Sequence, residues 1–115
     1  MQELLKIALV QSDLVWEAPE LNRKILLSKI ESISEEVDVI ILPEMFTTGF
    51  TMQADEVAET MDGKTVEWMK SIALKYNTAI TGSIIISENN TYYNRLLFTI
   101  HHSPLPLSTS NQNLN

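Results

Sequence analysis

The chain of 115 residues contains no cysteine. Disulfide bonds and thiolate metal sites are therefore excluded, and so is a cysteine nucleophile supplied by these residues. No apolar run approaches the length of about 20 residues that a membrane-spanning helix needs. Residues 1–6 also lack the basic segment and apolar core of a signal peptide. The sequence thus predicts a cytoplasmic protein with no membrane partner.

Positive charge is also scarce. The chain has 15 acidic residues against 8 lysines and arginines, which gives a formal net charge of −7. This balance argues against nucleic acid or an anionic membrane surface as the main partner. The length and the apolar content of 44% are those of one small globular domain.

Hydrophobic spacing divides most of the chain into strands and helices. Short aliphatic runs indicate strands, and apolar residues at intervals of three and four indicate amphipathic helices. The predicted elements are a strand at residues 4–11, a helix at 20–34, a strand at 37–42, a helix from 65 with Thr65 as hydroxyl N-cap, and strands at 78–87 and 91–100. Residues 88–90 are a hairpin turn, and Gly82 indicates a bulge or a close backbone approach. The fold class is α/β, in the order β-α-β-α-β-β.

The second predicted strand stops at Pro43 and is followed directly by one carboxylate, Glu44. Its continuous apolar run is typical of a strand buried on both faces in a parallel sheet. Ligands of open α/β sheets bind at the carboxyl ends of the strands. Glu44 is therefore a candidate general acid or base, partly desolvated by Met45, Phe46 and Phe50. A helix or turn cap near the surface is an equally good interpretation.

Residues 42–50, Leu-Pro-Glu-Met-Phe-Thr-Thr-Gly-Phe, resemble the strand-end segment of the nitrilase, or carbon–nitrogen hydrolase, superfamily and especially of its ω-amidase-like branch. Three other segments agree with that family in order and spacing: a first strand ending in Val10-Gln11, the sequence Thr81-Gly82-Ser83, and residues 92–98. The resemblance extends over about residues 4 to 98. It implies the N-terminal half of an αββα sandwich, which is incomplete by itself.

The resemblance also implies a chemistry. In this family a cysteine attacks the amide or nitrile carbon and forms a thioester with release of ammonia, a lysine stabilises the oxyanion, and a glutamate accepts the thiol proton. Glu44 matches that glutamate, as general base, and the implied substrate is a small ω-amide such as α-ketoglutaramate. No cofactor or metal is implied. The lysine's usual place after the fourth strand holds His101 and His102, and the cysteine is missing.

The end of the chain differs in character from the rest. Residues 96–115 contain no Asp, Glu, Lys or Arg, although 20% of the whole chain is charged. We therefore expect residues 1–100 to be a partial carbon–nitrogen hydrolase domain and residues 101–115 to be an aberrant, disordered tail. Our interpretation is a truncated product whose last segment was replaced or read in a shifted frame.

Several residues around the Glu44 segment have a functional and a structural interpretation of similar weight. Phe46, Thr47 and Phe50 could line a substrate pocket, while Phe46 and Phe50 could equally belong to the core. Asn94 could brace the loop around Glu44 or satisfy only a backbone group.

Two other motifs have no functional interpretation of equal weight. Ser83 is interpreted as a strand serine, because the Gly-x-Ser-x-Gly pattern of a nucleophile is absent. His101 and His102 are adjacent, so on a strand they would point to opposite faces and could not chelate one metal together.

Two functions of different classes remain open. The chain is either an incomplete carbon–nitrogen hydrolase or a catalytically inert remnant that acts, if at all, as an interaction module. The missing cysteine favours the second, and the Glu44 segment favours the first; a separate chain could also supply the lysine and cysteine. Because strands made to be covered on both faces would leave one apolar face exposed, we also expect self-association.

Overall fold

The computed structural model describes residues 4–100 and 108–114. The fold is mixed α/β, as the sequence predicts, with a sheet of five strands. The elements are β1 Ile7–Leu9, α1 Pro19–Glu31, β2 Val39–Ile41, α2 Ala54–Val57, α3 Lys64–Tyr76, β3 Ala79–Glu88, β4 Thr91–Thr99 and β5 Ser108–Asn113. Compared with the predicted order, the structure adds the short helix α2 and the strand β5. Within the described ranges, no helix is long and apolar enough to cross a membrane.

The strands follow one another across the sheet in chain order, from β1 to β5. β1, β2 and β3 are parallel, whereas β3–β4 and β4–β5 are antiparallel. In the parallel part Ile40 pairs with Ala8 on one side and Ile80 on the other. Because side chains alternate along a strand, this register places Ile40 and Ile80 on one face of the sheet and Val39 and Ile41 on the other.

The hydrophobic core lies between one face of the sheet and the two long helices. Leu26 and Ile30 of α1 and Met69 of α3 are almost fully buried, together with Ile40 and Ile80 of the sheet. Leu26 and Ile30 are four residues apart, and the buried apolar residues of α3, Val66, Met69, Ile72 and Ala73, recur at intervals of three and four, which is the amphipathic pattern that the sequence shows. The two helices therefore fix the end of β2, where Glu44 follows, against a packed layer.

The other face of the sheet is open in the described part of the chain. Its side chains include Leu9 of β1, which is 63% exposed, and Leu96 of β4, which is 46% exposed. The expectation that β2 is buried on both faces is therefore wrong here: Ile40 is buried, but Val39 and Ile41 are only half-buried. We call this surface the open face, formed by Ile7, Leu9, Val39, Ile41, Thr81, Ser83, Asn94, Leu96 and Phe98.

The start of α3 differs from the prediction. Gly63, rather than Thr65, is the N-cap residue, and because glycine has no side chain it cannot cap the helix with one. The Thr65 N–H instead donates to Glu59 Oε1 at 2.9 Å, and the Thr65 hydroxyl donates to the same carboxylate. A carboxylate is favourable there because unpaired N–H groups give a helix N-terminus partial positive charge. Arg23 of α1 lies with Nη1 3.8 Å from Glu59 Oε2 and donates to Thr65 Oγ1 at 3.0 Å, and this hydrogen bond joins α1 to α3.

The end of the chain also differs from the prediction. Residues 108–113, expected to be disordered, form β5 and pair with β4 from Tyr93 to Phe98. Sequence composition gave the wrong expectation because backbone pairing to a neighbouring strand needs no charged or apolar side chains. The expectation for residues 101–107 and for residue 115 lies outside the described residues.

Candidate active site

Glu44 lies in a tight turn directly after β2. Pairing with β3 continues one residue past the strand, because the Leu42 N–H donates to the Thr81 carbonyl at 2.8 Å. Pro43 has no N–H and ends this pairing. Met45 then adopts a left-handed conformation, with φ of 49°, and its carbonyl accepts the Gly49 N–H at 2.8 Å. The carboxylate therefore projects from the carboxyl end of a parallel strand, as the sequence predicts.

The turn is attached to β3 at Ser83. The Met45 N–H donates to Ser83 Oγ at 2.8 Å, and the Phe46 N–H donates to the Ser83 carbonyl at 3.1 Å. The Phe46 ring lies against Gly82, where an added Cβ atom would be 2.8 Å from the ring and 3.0 Å from Leu42 Cβ. The predicted close approach at Gly82 is thus made chiefly by an aromatic side chain, and β3 pairs with β4 without a bulge there.

The Glu44 carboxylate has a hydrogen-bond partner on β4. Asn94 Nδ2 donates to Glu44 Oε1 at 3.0 Å. Asn94 is 6% exposed, while Glu44 is exposed. The predicted desolvation of Glu44 is therefore not seen in this chain, because Phe46 points into the core and Phe50 points away to solvent.

Two of the cavities in the described part of the chain adjoin Glu44. One, of about 350 Å³, opens on the open face and is lined by Glu44, Ile41, Leu42, Thr81, Gly82, Ser83, Asn94, Leu96 and Gln112. The second, of about 680 Å³, lies at the ends of β1 and β2 and includes Asp13 and Lys29. The first combines one carboxylate, two amides and two hydroxyls with apolar side chains, which is the mixture typical of small-molecule sites.

The three other predicted pocket residues lie elsewhere. Phe46 is fully buried in the core, with its ring centroid 5.7 Å from that of Trp68. Thr47 is buried, and its carbonyl accepts a hydrogen bond from Asn22 at 2.7 Å. Phe50 is 72% exposed. Neither cavity beside Glu44 is lined by any of these three residues, whereas Asn94 lies beside Glu44.

The structure adds two residues that sequence reasoning did not connect with the site. The sequence predicts Ser83 only as a strand serine, and its position directly after Gly82 is the one feature that indicates a close contact there. Asn22, on α1, is buried and bonds both the Val15 backbone and the Thr47 carbonyl, which joins two loops next to the Glu44 turn. No pattern in the sequence separates Asn22 from a solvent-facing helix residue.

Among the residues that the structure describes, no group of three or more His, Asp or Glu side chains could hold a metal ion. The chemistry available at this edge of the sheet is that of an exposed carboxylate with an amide donor. This arrangement can accept a proton, and it can orient a group that carries N–H or O–H donors.

The Carbon-nitrogen hydrolase family model matches residues 6–113, and the chain therefore belongs to the carbon–nitrogen hydrolase, or nitrilase, family. The match continues past residue 98, where the resemblance seen in the sequence stops, and includes β5. Within the family the chain is ω-amidase-like and corresponds to the N-terminal portion of its relatives.

Two relatives carry curated names. Omega-amidase YafV of Escherichia coli (strain K12) is 39% identical over 93 residues, which are 81% of this chain and 36% of that protein. The 2-oxoglutaramate amidase of Bacillus subtilis (strain 168) is 34% identical over 93 residues, which are 78% of this chain and 36% of that protein. The chain thus spans about a third of the length of these relatives.

Solved structures show the same fold. XC1258 from Xanthomonas campestris, a CN-hydrolase superfamily protein with an arsenic adduct in its active site, superimposes with a TM-score of 0.83 and 35% identity. The match covers 95% of this chain and 40% of XC1258. The described sheet and helices are therefore those of a carbon–nitrogen hydrolase fragment.

Proposed function

We propose that this chain is the glutamate-bearing portion of an ω-amidase-like carbon–nitrogen hydrolase, which converts a small ω-amide to a carboxylate and ammonia. The observation that carries the proposal is the position of Glu44. It follows a parallel strand, accepts a hydrogen bond from Asn94 and lines the cavity on the open face. The names of the relatives, an omega-amidase and a 2-oxoglutaramate amidase, support the substrate class.

The role of Glu44 in this proposal is general base. A thiol becomes a good nucleophile when a nearby carboxylate accepts its proton. Oε1 of Glu44 already accepts the Asn94 hydrogen bond, so we assign the thiol proton to Oε2. The sulfur then attacks the amide carbon, Glu44 returns the proton to the amide nitrogen so that ammonia leaves, and water hydrolyses the thioester to the carboxylate and the free thiol.

The other two catalytic groups come from residues outside this chain in our proposal. The chain has no cysteine, so it cannot form the thioester alone. We propose that the lysine and the cysteine are brought to the open face by a second sheet of an αββα sandwich. The exposed side chains of Ile7, Leu9 and Leu96 on this one face support this packing, since exposed apolar side chains that share a surface mark a place where another element or partner packs.

A chimeric enzyme tests the proposal. The 93-residue segment of YafV that matches this chain is replaced by the matching residues of this chain, and ammonia release from 2-oxoglutaramate is measured. We expect hydrolysis by the chimera and none above background by the isolated chain. A folded chimera without activity would refute the assignment.

The second candidate is an inert remnant or interaction module. The apolar side chains of the open face favour it, because they can also be covered by another copy of the chain. In either case we propose a protein without nucleic acid or an anionic membrane surface as its main partner, on the strength of its net charge of −7.

A further inference from the structure

We propose that Ser83 and Asn94 are positioning residues that together hold Glu44 in one orientation at the open face, and that Asn94 does so at the expense of stability. The proposal rests on the role of Glu44 as general base. It concerns two residues of the β3–β4 hairpin: Ser83, which bonds the backbone of the Glu44 turn, and Asn94, which bonds the Glu44 carboxylate.

Ser83 fixes the backbone of the turn. Its hydroxyl oxygen accepts the N–H of Met45, the residue directly after Glu44, at 2.8 Å. Both Ser83 and Met45 are buried, so water cannot easily replace this hydrogen bond. Met45 also has a φ of 49°, a conformation that non-glycine residues adopt only where the surroundings enforce it.

Asn94 fixes the carboxylate itself. Its Nδ2 donates to Glu44 Oε1 at 3.0 Å, while its Oδ1 is buried and has no hydrogen-bond partner among the residues that the structure describes. Rotating the amide by half a turn would place Oδ1 against the carboxylate, where two acceptors repel. The orientation of Asn94 is therefore set by Glu44, and the orphaned Oδ1 is the cost, because a buried acceptor without a partner is destabilising.

The two contacts come from one rigid unit. Ser83 pairs with Leu96, and Ile85 pairs with Asn94, so Ser83 and Asn94 lie diagonally on the same face of adjacent strands. A regular ladder joins β3 and β4 from Ile80 to Glu88. Groups held by such an element are positioned more accurately than groups held by loops. Ser83 and Asn94 thus fix the position of Glu44 through contacts with the sheet, and not only through the hydrogen bonds within its own turn.

A merely structural Asn94 would behave differently. If its purpose were to stabilise the hairpin, replacing it by an apolar residue of similar size would lower stability. If it holds Glu44 instead, Asn94→Leu removes an unsatisfied polar atom and leaves stability equal or higher, while the Glu44 side chain loses its orientation.

The experiment uses the whole 115-residue chain at concentrations at which light scattering shows both wild type and variant to be monomeric, so that a new leucine on the open face cannot raise stability through self-association. It needs no substrate, so its outcome is separate from that of the chimera assay. Urea midpoints and the side-chain rotamer populations of Glu44, from NMR scalar couplings, are compared in the wild-type chain and in Asn94→Leu. We expect one dominant rotamer in the wild type, averaged couplings in the variant, and an equal or higher midpoint. A lower midpoint, or an unchanged Glu44 rotamer, overturns the role of Asn94.

Ser83 is tested by hydrogen exchange of the Met45 amide. We expect exchange to speed up at least about tenfold in Ser83→Ala, since the N–H loses its acceptor, and to return near the wild-type rate in Ser83→Thr. Ser87→Ala, on the same strand, is the matched control and should leave Met45 unchanged. Equal exchange in wild type and Ser83→Ala, or no recovery in Ser83→Thr, overturns the role of Ser83.

Discussion

At the scale of single residues, the site depends on contacts between positions far apart in the chain. Glu44 and Asn94 are 50 residues apart and meet only because the β3–β4 hairpin lies beside the end of β2. The sequence shows Glu44 through the Pro-Glu step after an apolar strand and through its family resemblance. It suggests Asn94 only as one of two interpretations, because a side-chain contact between strands depends on their register, which periodicity does not give.

Gly82 gives a prediction at this scale. An added methyl group would meet the Phe46 ring at 2.8 Å and Leu42 Cβ at 3.0 Å, and both neighbours belong to the packed core. Gly82→Ala should therefore lower the free energy of unfolding by about 1–3 kcal/mol, as overpacking of a core does. Urea denaturation measures this change, with Ser87→Ala as the control on the same strand. An unchanged midpoint would show that the Phe46 ring can move away freely.

At the scale of secondary-structure elements, periodicity predicts most of the fold, and the differences have local causes. The two long helices and the β3–β4 hairpin follow from their apolar spacing and from Asn89 and Asn90, which adopt positive φ in the turn. The cap of α3 could not be predicted, because its acceptor, Glu59, lies in an irregular segment. β5 could not be predicted either, since its sequence has no alternation and its register is set by β4.

The hairpin also gives a pH prediction. Arg95 donates hydrogen bonds to Glu88 at 3.0 and 3.4 Å; these bonds and the attraction of the two charges lower the pKa of Glu88 from 4.5. Because the folded pKa is below the unfolded one, the ionised carboxylate stabilises the fold above pH 4.5, and this contribution is lost as the pH falls through the folded pKa.

Glu88→Gln should therefore lower the urea midpoint at about pH 7, and the difference from wild type should vanish once the pH has fallen below the folded pKa. The effect is expected to be small because Glu88 is exposed at the hairpin end. Glu35→Gln, in a more exposed pair with Lys6, is the control and should change little at either pH. A difference for Glu88→Gln that persists at the lower pH would contradict this account.

At the scale of the whole molecule, the helices cover one face of the sheet and leave the open face with Glu44 at its edge. Resemblance to the nitrilase family predicted this half-covered arrangement, whereas strand patterns alone suggested burial on both faces. The two predictions differ because an apolar strand pattern indicates that both faces of a strand are suited to burial, but does not indicate which residues cover them.

The open face should make the isolated chain self-associate. Leu9 and Leu96 are exposed there, and removing such side chains from water favours association. Light scattering should show an apparent mass that rises with concentration, and Leu9→Glu with Leu96→Glu should lower it towards the monomer. Leu74→Glu changes an exposed leucine on α3, outside the open face, and should have no such effect. A concentration-independent monomer would refute this expectation.

We propose Glu44 as the general base, and ammonia release by the YafV chimera carrying Glu44→Gln measures that role. Glutamine keeps the size of the side chain and the contact with Asn94 but cannot accept the thiol proton. We predict a loss in kcat/KM of about 100- to 10,000-fold, the range of general-base contributions. Glu36→Gln, an exposed glutamate before β2, should leave kcat/KM unchanged. Equal activity of the Glu44→Gln and Glu36→Gln chimeras would contradict the account.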